Sequence, residues 1–179
     1  GLAFGLLNGL IVSKGRIPAF IVTLGTQAIA RGLALILAHG MPVGSFPAAF
    51  NYLGTASLDE GGFVPWIVIM FLLIIALTTF IMRKLPIGRY AYAVGGNEEA
   101  ARASGINVDR VKLYIYLIEG AMLGFAGTLM AARLRSAAPA MGVGYEGDAI
   151  AGAIIGGVSF TGGVVTVPCM VLGALMIGV

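Results

Sequence analysis

The stretch RKLPIGRYAYAVGGNEEAARASGINVDRVK, Arg83 to Lys112, decides how this chain folds. It gathers six of the eleven Lys and Arg residues and three of the eight carboxylates, and long apolar runs flank it on both sides. Ionised side chains in the middle of a bilayer cost about 2.5–3.5 kcal/mol each on insertion scales, so this many cannot be left in hydrocarbon. The stretch therefore faces water while its flanks do not. A membrane protein with a structured aqueous loop of this kind is suited to touching a soluble partner.

Within the loop, Gly95-Gly96-Asn97-Glu98-Glu99-Ala100-Ala101-Arg102-Ala103-Ser104-Gly105 reads as a compact helical unit. Asn97 is a good N-cap, and Glu98 and Glu99 fall in the first turn, where the helix dipole favours negative charge. Ala100, Ala101 and Ala103 are strong helix formers, Arg102 suits the C-terminal half, and Gly105 suits the position just past the end. The pattern predicts a helix over Glu98–Ser104, about 10 Å long. Asn107 or Asp109 is expected to cap the next helix, which enters the membrane near Leu113. Isolated helices below about 12 residues are marginal, so this one must be held by the adjoining loops and a partner. An ordinary solvated loop helix is the alternative.

Working outward, the apolar runs give three spans: 17–38, interrupted only by Arg31; 64–82, without a charge; and 113–132, carrying Glu119. Each has about the 20 residues that a hydrocarbon core of about 30 Å requires. The opening run 1–12 reads as the end of a further span. From Ala149 to Val179 there is no charge, but glycines and Pro168 break the run, which predicts two helical pieces, 149–158 and 165–179, joined by a Gly-rich turn. The fold class is therefore all-α: a polytopic helical bundle in the lipid bilayer with broken Gly-rich helices. The chain starts without Met and stops inside an apolar run, so it is expected to be an internal fragment of a longer protein, with 1–179 forming one transmembrane domain.

Sidedness follows from the basic residues. With the 83–112 loop inside, Lys14 and Arg16 are also inside, the 39–62 segment without Lys or Arg is outside, and Arg133 and Arg135 fall at the outer end. This agrees with the positive-inside rule.

Composition excludes other classes. The chain is 59% hydrophobic and 11% charged, against about 25% charged in typical soluble domains, so it lacks the residues for an aqueous skin. Its net charge of +3 is explained by topology and not by nucleic-acid binding. One Cys and one His give no disulfide and no metal cluster; Cys169, in an apolar run, is expected to be a small buried thiol. No paired nucleophile and base is visible, so no catalytic residue is expected. Glycine, at 28 residues, is about twice its usual share, and the four-residue spacings Gly1-Gly5-Gly9, Gly120-Gly124 and Gly152-Gly156 predict close helix packing.

The run GRYAYAVGGNEEAARASGINVDRVKLYIY resembles the cytoplasmic loop of permease subunits of bacterial ATP-binding-cassette importers for monosaccharides, with the ribose-type permeases as the nearest match. GLLNGLIVSKGRIPAFIVTLGT, with ARG at Ala30–Gly32, is similar to the family's earlier spans, and ARLRSAAPAMGVGYEGDAIAGAIIGGVSFTGG to its later part. The resemblance implies a multi-pass subunit of the bacterial inner membrane that pairs with a second permease subunit. It also implies a cytoplasmic ATP-binding-cassette ATPase and a periplasmic sugar-binding protein as partners. The chain would need no cofactor of its own, ATP being bound by the partner; it holds no G-x-x-x-x-G-K-[ST] phosphate loop. The 83–112 loop would be the coupling loop, with Gly95, Gly96, Asn97, Glu98, Glu99, Ala100, Ala101, Arg102, Ser104 and Gly105 as the ATPase-coupling residues. The family usually has glycine where this chain has Val164 or Val165 and Cys169, which would disturb a tightly packed turn.

Sugar-path candidates are Asn8, Thr23, Thr26, Gln27, Ser159 and Thr161, of which Thr23, Thr26 and Gln27 share a helical face; interhelical hydrogen bonding is their other role. Arg31 is expected to snorkel, Glu119 to pair with an inward base or stay protonated, and a carboxylate of Glu146 or Asp148 to cap the piece that starts at Ala149. Two alternatives remain: a permease of the same superfamily for branched-chain amino acids or nucleosides, or an ion-coupled secondary transporter using Glu119 or Asp148.

Overall fold

The computed structural model describes residues 1–57, 65–159, 162–163 and 167–178. Among these, the elements run in the order α1 (Leu2–Gly15), α2 (Ala19–Leu37), β1 (Val43–Gly44), α3 (Ala48–Thr55), α4 (Trp66–Lys84), α5 (Pro86–Gly96), α6 (Glu98–Ala103), α7 (Val108–Leu134), β2 (Ser136–Ala137), α8 (Tyr145–Ile155) and α9 (Val167–Gly178). The fold is helical, and α2, α4 and α7 are long and apolar enough to cross a membrane, close to the three spans expected. At 27 residues α7 is about 40 Å long, more than a hydrocarbon core needs. Three of its five charged residues, Asp109, Arg110 and Lys112, lie in the first two turns, with Glu119 farther along and Arg133 in the last turn. One unbroken helix thus starts in water and continues as a span.

The chain divides into two compact units, Gly1–Ile74 with Leu113–Met141, and Ile75–Lys112 with Gly142–Val179. In the first, α1 packs against α7 through the expected glycines. A Cβ on Gly5 would lie 3.0 Å from Gly120 Cα, one on Gly120 would lie 2.8 Å from Gly5 Cα, and one on Gly9 would lie 2.9 Å from the Leu113 side chain. The two helices are therefore antiparallel and in backbone contact, which only small residues permit. At the far end, β1 pairs antiparallel with β2 (Val43↔Ala137, Gly44↔Ser136), and Gly54 of α3 abuts the backbone of Ala132 and Arg133. The segments placed outside by their charges thus meet at one end of this unit, and the Lys14 end of α1 lies toward Leu113 at the other.

In the second unit, Leu85 is extended (φ −87°, ψ 151°) as a residue before proline must be, and Pro86 then opens α5 at a position where its missing N–H costs nothing. Helix α5 was not expected; the sequence reading left 85–94 as loop. Helices α8 and α9 form an antiparallel pair in which Cβ atoms on Gly152 and Gly156 would meet the backbones of Ala174 and Met170 at 3.1 and 2.8 Å. Helix α8 begins at Tyr145, four residues ahead of the expected Ala149, so Glu146 and Asp148 lie in its first turn. There they complement the helix dipole instead of capping the end, where Gly144 stands. Its 11 residues reach about 16 Å, half a bilayer. Thr161, Val164 and Val165 lie outside the described residues.

The buried apolar residues are few: Val12, Val22 and Ala132 in the first unit, and Ala101, Val108 and Val111 in the second. Large side chains such as Phe20, Leu37, Phe80, Leu123 and Met176 are exposed instead. On a water-soluble protein such a surface would be an aggregation hazard. On spans it is the face that lipid covers.

Candidate functional site

Both ends of α6 are closed by its own sequence. Asn97, in extended backbone, accepts a hydrogen bond from the Ala100 N–H at 2.9 Å. At the other end Gly105 takes the left-handed conformation (φ 82°). The Gly105 N–H donates to the Arg102 carbonyl at 3.0 Å and the Ile106 N–H to the Ala101 carbonyl at 3.1 Å. This pair of bonds is the Schellman arrangement, which glycine adopts at the least cost. The Ser104 hydroxyl donates to the Ala100 carbonyl at 2.9 Å, and the helix proper ends at Ala103. Of the two expected caps for α7, Asn107 is the one present, accepting from the Arg110 N–H at 3.1 Å. Asp109 sits in the first turn of α7 and has a different role.

That role is ionic. Arg102 Nη2 lies 3.0 Å from Glu98 Oε1 and 3.1 Å from Asp109 Oδ1, while Lys112 Nζ lies 2.7 Å from Glu98 Oε2. The hydrogen bond from Lys112, and after it that from Arg102, holds the Glu98 carboxyl below its ordinary range. Glu98 and Asp109 in turn raise the Arg102 guanidinium. Four charges, two on α6 and two on the first turns of α7, form one chain of bonds. No ion pair was expected here from the sequence: Glu98–Arg102 is an i,i+4 pair within α6, and the other two bonds cross the corner.

Ala101 is 4% exposed, and Val108 (1%) and Val111 (4%) at the start of α7 are buried as well. The sequence reading offered both Ala100 and Ala101 to a partner; the structure turns Ala101 inward. The outward face is Glu99, Ala100, Arg102, Ala103 and Ser104. Just ahead of α6, Gly95 and Gly96 meet the Gly-rich turn that follows α8. A Cβ on Gly95 would lie 2.9 Å from Gly163 N, and one on Gly163 would lie 2.7 Å from Gly96 Cα, whereas a Cβ on Gly96 would meet nothing. The two glycine pairs were visible in the sequence, but nothing local joined them.

The path candidates are divided between the two units. Asn8 lies on α1 and Thr23, Thr26 and Gln27 on α2, all in the first unit, while Ser159 belongs to the second. The Thr23 hydroxyl donates to the carbonyls of Ala19 and Phe20, and that of Thr26 to those of Val22 and Thr23, each at 3.1 Å. Both threonines are thus bonded within their own helix and not to a neighbour. Asn8 Oδ1 is buried and has no hydrogen-bond partner among the described residues. Asn8 stands seven residues before the end of α1, and Thr26 seven after the start of α2. Because the two helices pack across a short corner, both lie at about 10 Å from it.

Glu119 is exposed and makes no ion pair among the described residues, so the expected inward partner is not there. Arg31 is half-buried on α2. Cys169 is exposed and not buried: it lies on α9, which starts at Val167, and it is its backbone carbonyl that lies against Gly156 of α8. Among the described residues no group of His, Cys, Asp or Glu is placed to hold a metal ion.

Comparison with known proteins gives matches along the whole length of the sequence. The family described as "Branched-chain amino acid transport system / permease component" covers residues 1–179. The chain is 38% identical to the ribose import permease protein RbsC of Haemophilus influenzae over 182 residues, covering 99% of this chain and 55% of the relative. It is 40% identical to the ribose import permease protein RbsC of Bacillus subtilis over 173 residues (96% and 53%). To the D-allose transport system permease protein AlsC of Escherichia coli it is 39% identical over 178 residues (99% and 54%). The chain thus spans about half the length of the curated relatives it matches. No solved structure matches it significantly. With apolar helices long enough to span and a match over every residue, the chain is a multi-pass membrane protein and belongs to the family of branched-chain amino acid transport system permease components.

Proposed function

We propose that this chain forms part of the permease subunit of an ATP-binding-cassette importer that carries a monosaccharide, ribose or a similar sugar, across the bacterial inner membrane. The observation that carries this reading is α6: a short rod, capped at both ends, set in water between two spans and showing a charged face. Such a rod takes up the motion of a soluble partner without deforming. The partner is a separate cytoplasmic ATPase, which binds the ATP, and α6 docks on it through Glu99, Ala100, Arg102 and Ser104. Gly95, Gly96, Asn97, Glu98, Ala101 and Gly105 shape and hold the rod. A second permease subunit completes the pore, and a periplasmic binding protein delivers the sugar.

The sugar assignment follows the names of the relatives, which are ribose, allose and arabinose permeases, although the family as a whole is described by amino-acid transport. Asn8, with an unpaired buried carbonyl oxygen, and Gln27 are the path residues with hydrogen-bonding capacity to offer a passing hydroxyl. The Thr23 and Thr26 hydroxyls have already given theirs to the helix. Ser159 and Thr161, in the Gly-rich turn, stand as further candidates.

Uptake of labelled ribose, leucine and a nucleoside by cells with and without the intact gene tests the assignment. Loss of ribose uptake alone is expected; loss of leucine uptake alone would replace the sugar with an amino acid. Uptake that survives ATP depletion while an ion gradient persists would replace the importer with a secondary carrier.

A further inference from the structure

We propose that Lys112 and Asp109 are positioning residues for coupling: with Glu98 and Arg102 they clamp α6 to the first turns of α7, so that a displacement imposed on α6 is delivered into α7. The proposal rests on the reading of α6 as the segment that meets the ATPase, and it names the route by which the motion leaves that segment.

Two layers hold the corner. The main chain closes it with the paired bonds at Gly105 and Ile106 and the Asn107 cap, leaving only Ser104 to Asn107 between the two helices. The buried apolar residues on the two helices here are Ala101, Val108 and Val111. The second layer is ionic: Lys112 reaches Glu98 across 14 positions and Arg102 is shared between Glu98 and Asp109. Because these bonds approach from both helices, they fix the direction of α6 relative to α7 as well as the distance. Beyond the corner α7 runs on without a break into its apolar section. On its other side α6 follows α5, whose last two residues, Gly95 and Gly96, rest on the Gly162–Gly163 turn.

The charged side chains are partly exposed, 26% for Lys112 and 50% for Asp109. Exposed ion pairs contribute little to folding stability because water screens them. The clamp is therefore dispensable for folding, and its effect shows in how faithfully motion is passed on.

The test uses the full-length permease assembled with its ATPase and binding protein in proteoliposomes, reading labelled ribose moved per ATP hydrolysed. Couplings between distant sites commonly span about five- to 150-fold, so Lys112→Met is expected to lower that ratio by about tenfold and Lys112→Arg by no more than about twofold. Asp109→Asn, which keeps the side-chain shape, is expected to lower it in the same direction and decides the matter if Lys112→Met does not accumulate. Co-purification with the ATPase and thermal stability in detergent are expected to match the wild type in all three. An unchanged ratio in Lys112→Met and Asp109→Asn would overturn the clamp, as would a loss in Lys112→Arg as deep as in Lys112→Met. Absence of ATP-driven ribose uptake by the wild-type assembly would instead overturn the functional reading on which the clamp rests, and the clamp with it.

Discussion

Ala100 and Ala101 are adjacent and identical, yet one faces water and the other is buried. Overfilling a packed site costs about 1–3 kcal/mol, so Ala101→Trp is expected to destabilise the corner and lower the melting temperature in detergent. Ala100→Trp is expected to leave melting unchanged and to abolish co-purification with the ATPase; equal melting of the two variants would show that the corner does not pack as described. Glu98 supplies a second check. Its carboxyl is held below the ordinary value of 4.5, chiefly by Lys112. A carboxylate depressed in this way stabilises the folded state above its unfolded value, and the effect is lost as pH falls through the folded value. The clamp is thus fully formed from neutral pH down to about 4.5 and opens only in stronger acid. Carboxyl-carbon NMR of the labelled protein should place the Glu98 midpoint below 4.5 and move it upward in Lys112→Met. The caps of α6 were legible because Asn97 and Gly105 act on backbone within a few residues. The burial of Ala101 was not, since it depends on which face of α6 the rest of the fold covers.

The three long spans were legible for a simple reason: a bilayer demands about 20 apolar residues in a row, and little else in a sequence looks like that. The spacing of small residues also foretold which helix faces pack closely, but not their partners, because Gly1, Gly5 and Gly9 carry no mark that points to Gly120. Helix α5 was missed for a different reason. Gly88, Gly95 and Gly96 weaken its helical signal, and the one cue, Pro86 after Leu85, is equally a turn signal. Its terminal glycines are explained by a contact far away in sequence. Gly95→Ala would drive a Cβ toward Gly163 N and is expected to cost about 1–3 kcal/mol by overpacking, while Gly96→Ala meets open space. Thermal melting of the two variants side by side checks this: a drop for Gly95→Ala alone is expected. Equal drops would mean that the turn does not rest on this joint.

Across the chain, the basic residues sort the loops, and the contacts within the first unit agree with that sorting: β1 meets β2, and α3 meets the end of α7, among the segments assigned to the outside. Few side chains are buried because most of the apolar surface belongs to lipid, which is why a core list from sequence would have been nearly empty of large residues. Hydropathy made the three long spans legible, whereas the split into two compact units comes from pairings distant in sequence. The central claim is that α6 is the face shown to a cytoplasmic ATPase. A photo-crosslinking residue at Ala103, exposed on α6, compared with one at Tyr52, exposed on α3 and assigned to the outer side, tests it most directly in the full-length assembly. Adducts with the ATPase are expected from Ala103 and not from Tyr52. No adduct from Ala103 in well-expressed protein, or adducts from Tyr52 in its place, would contradict it.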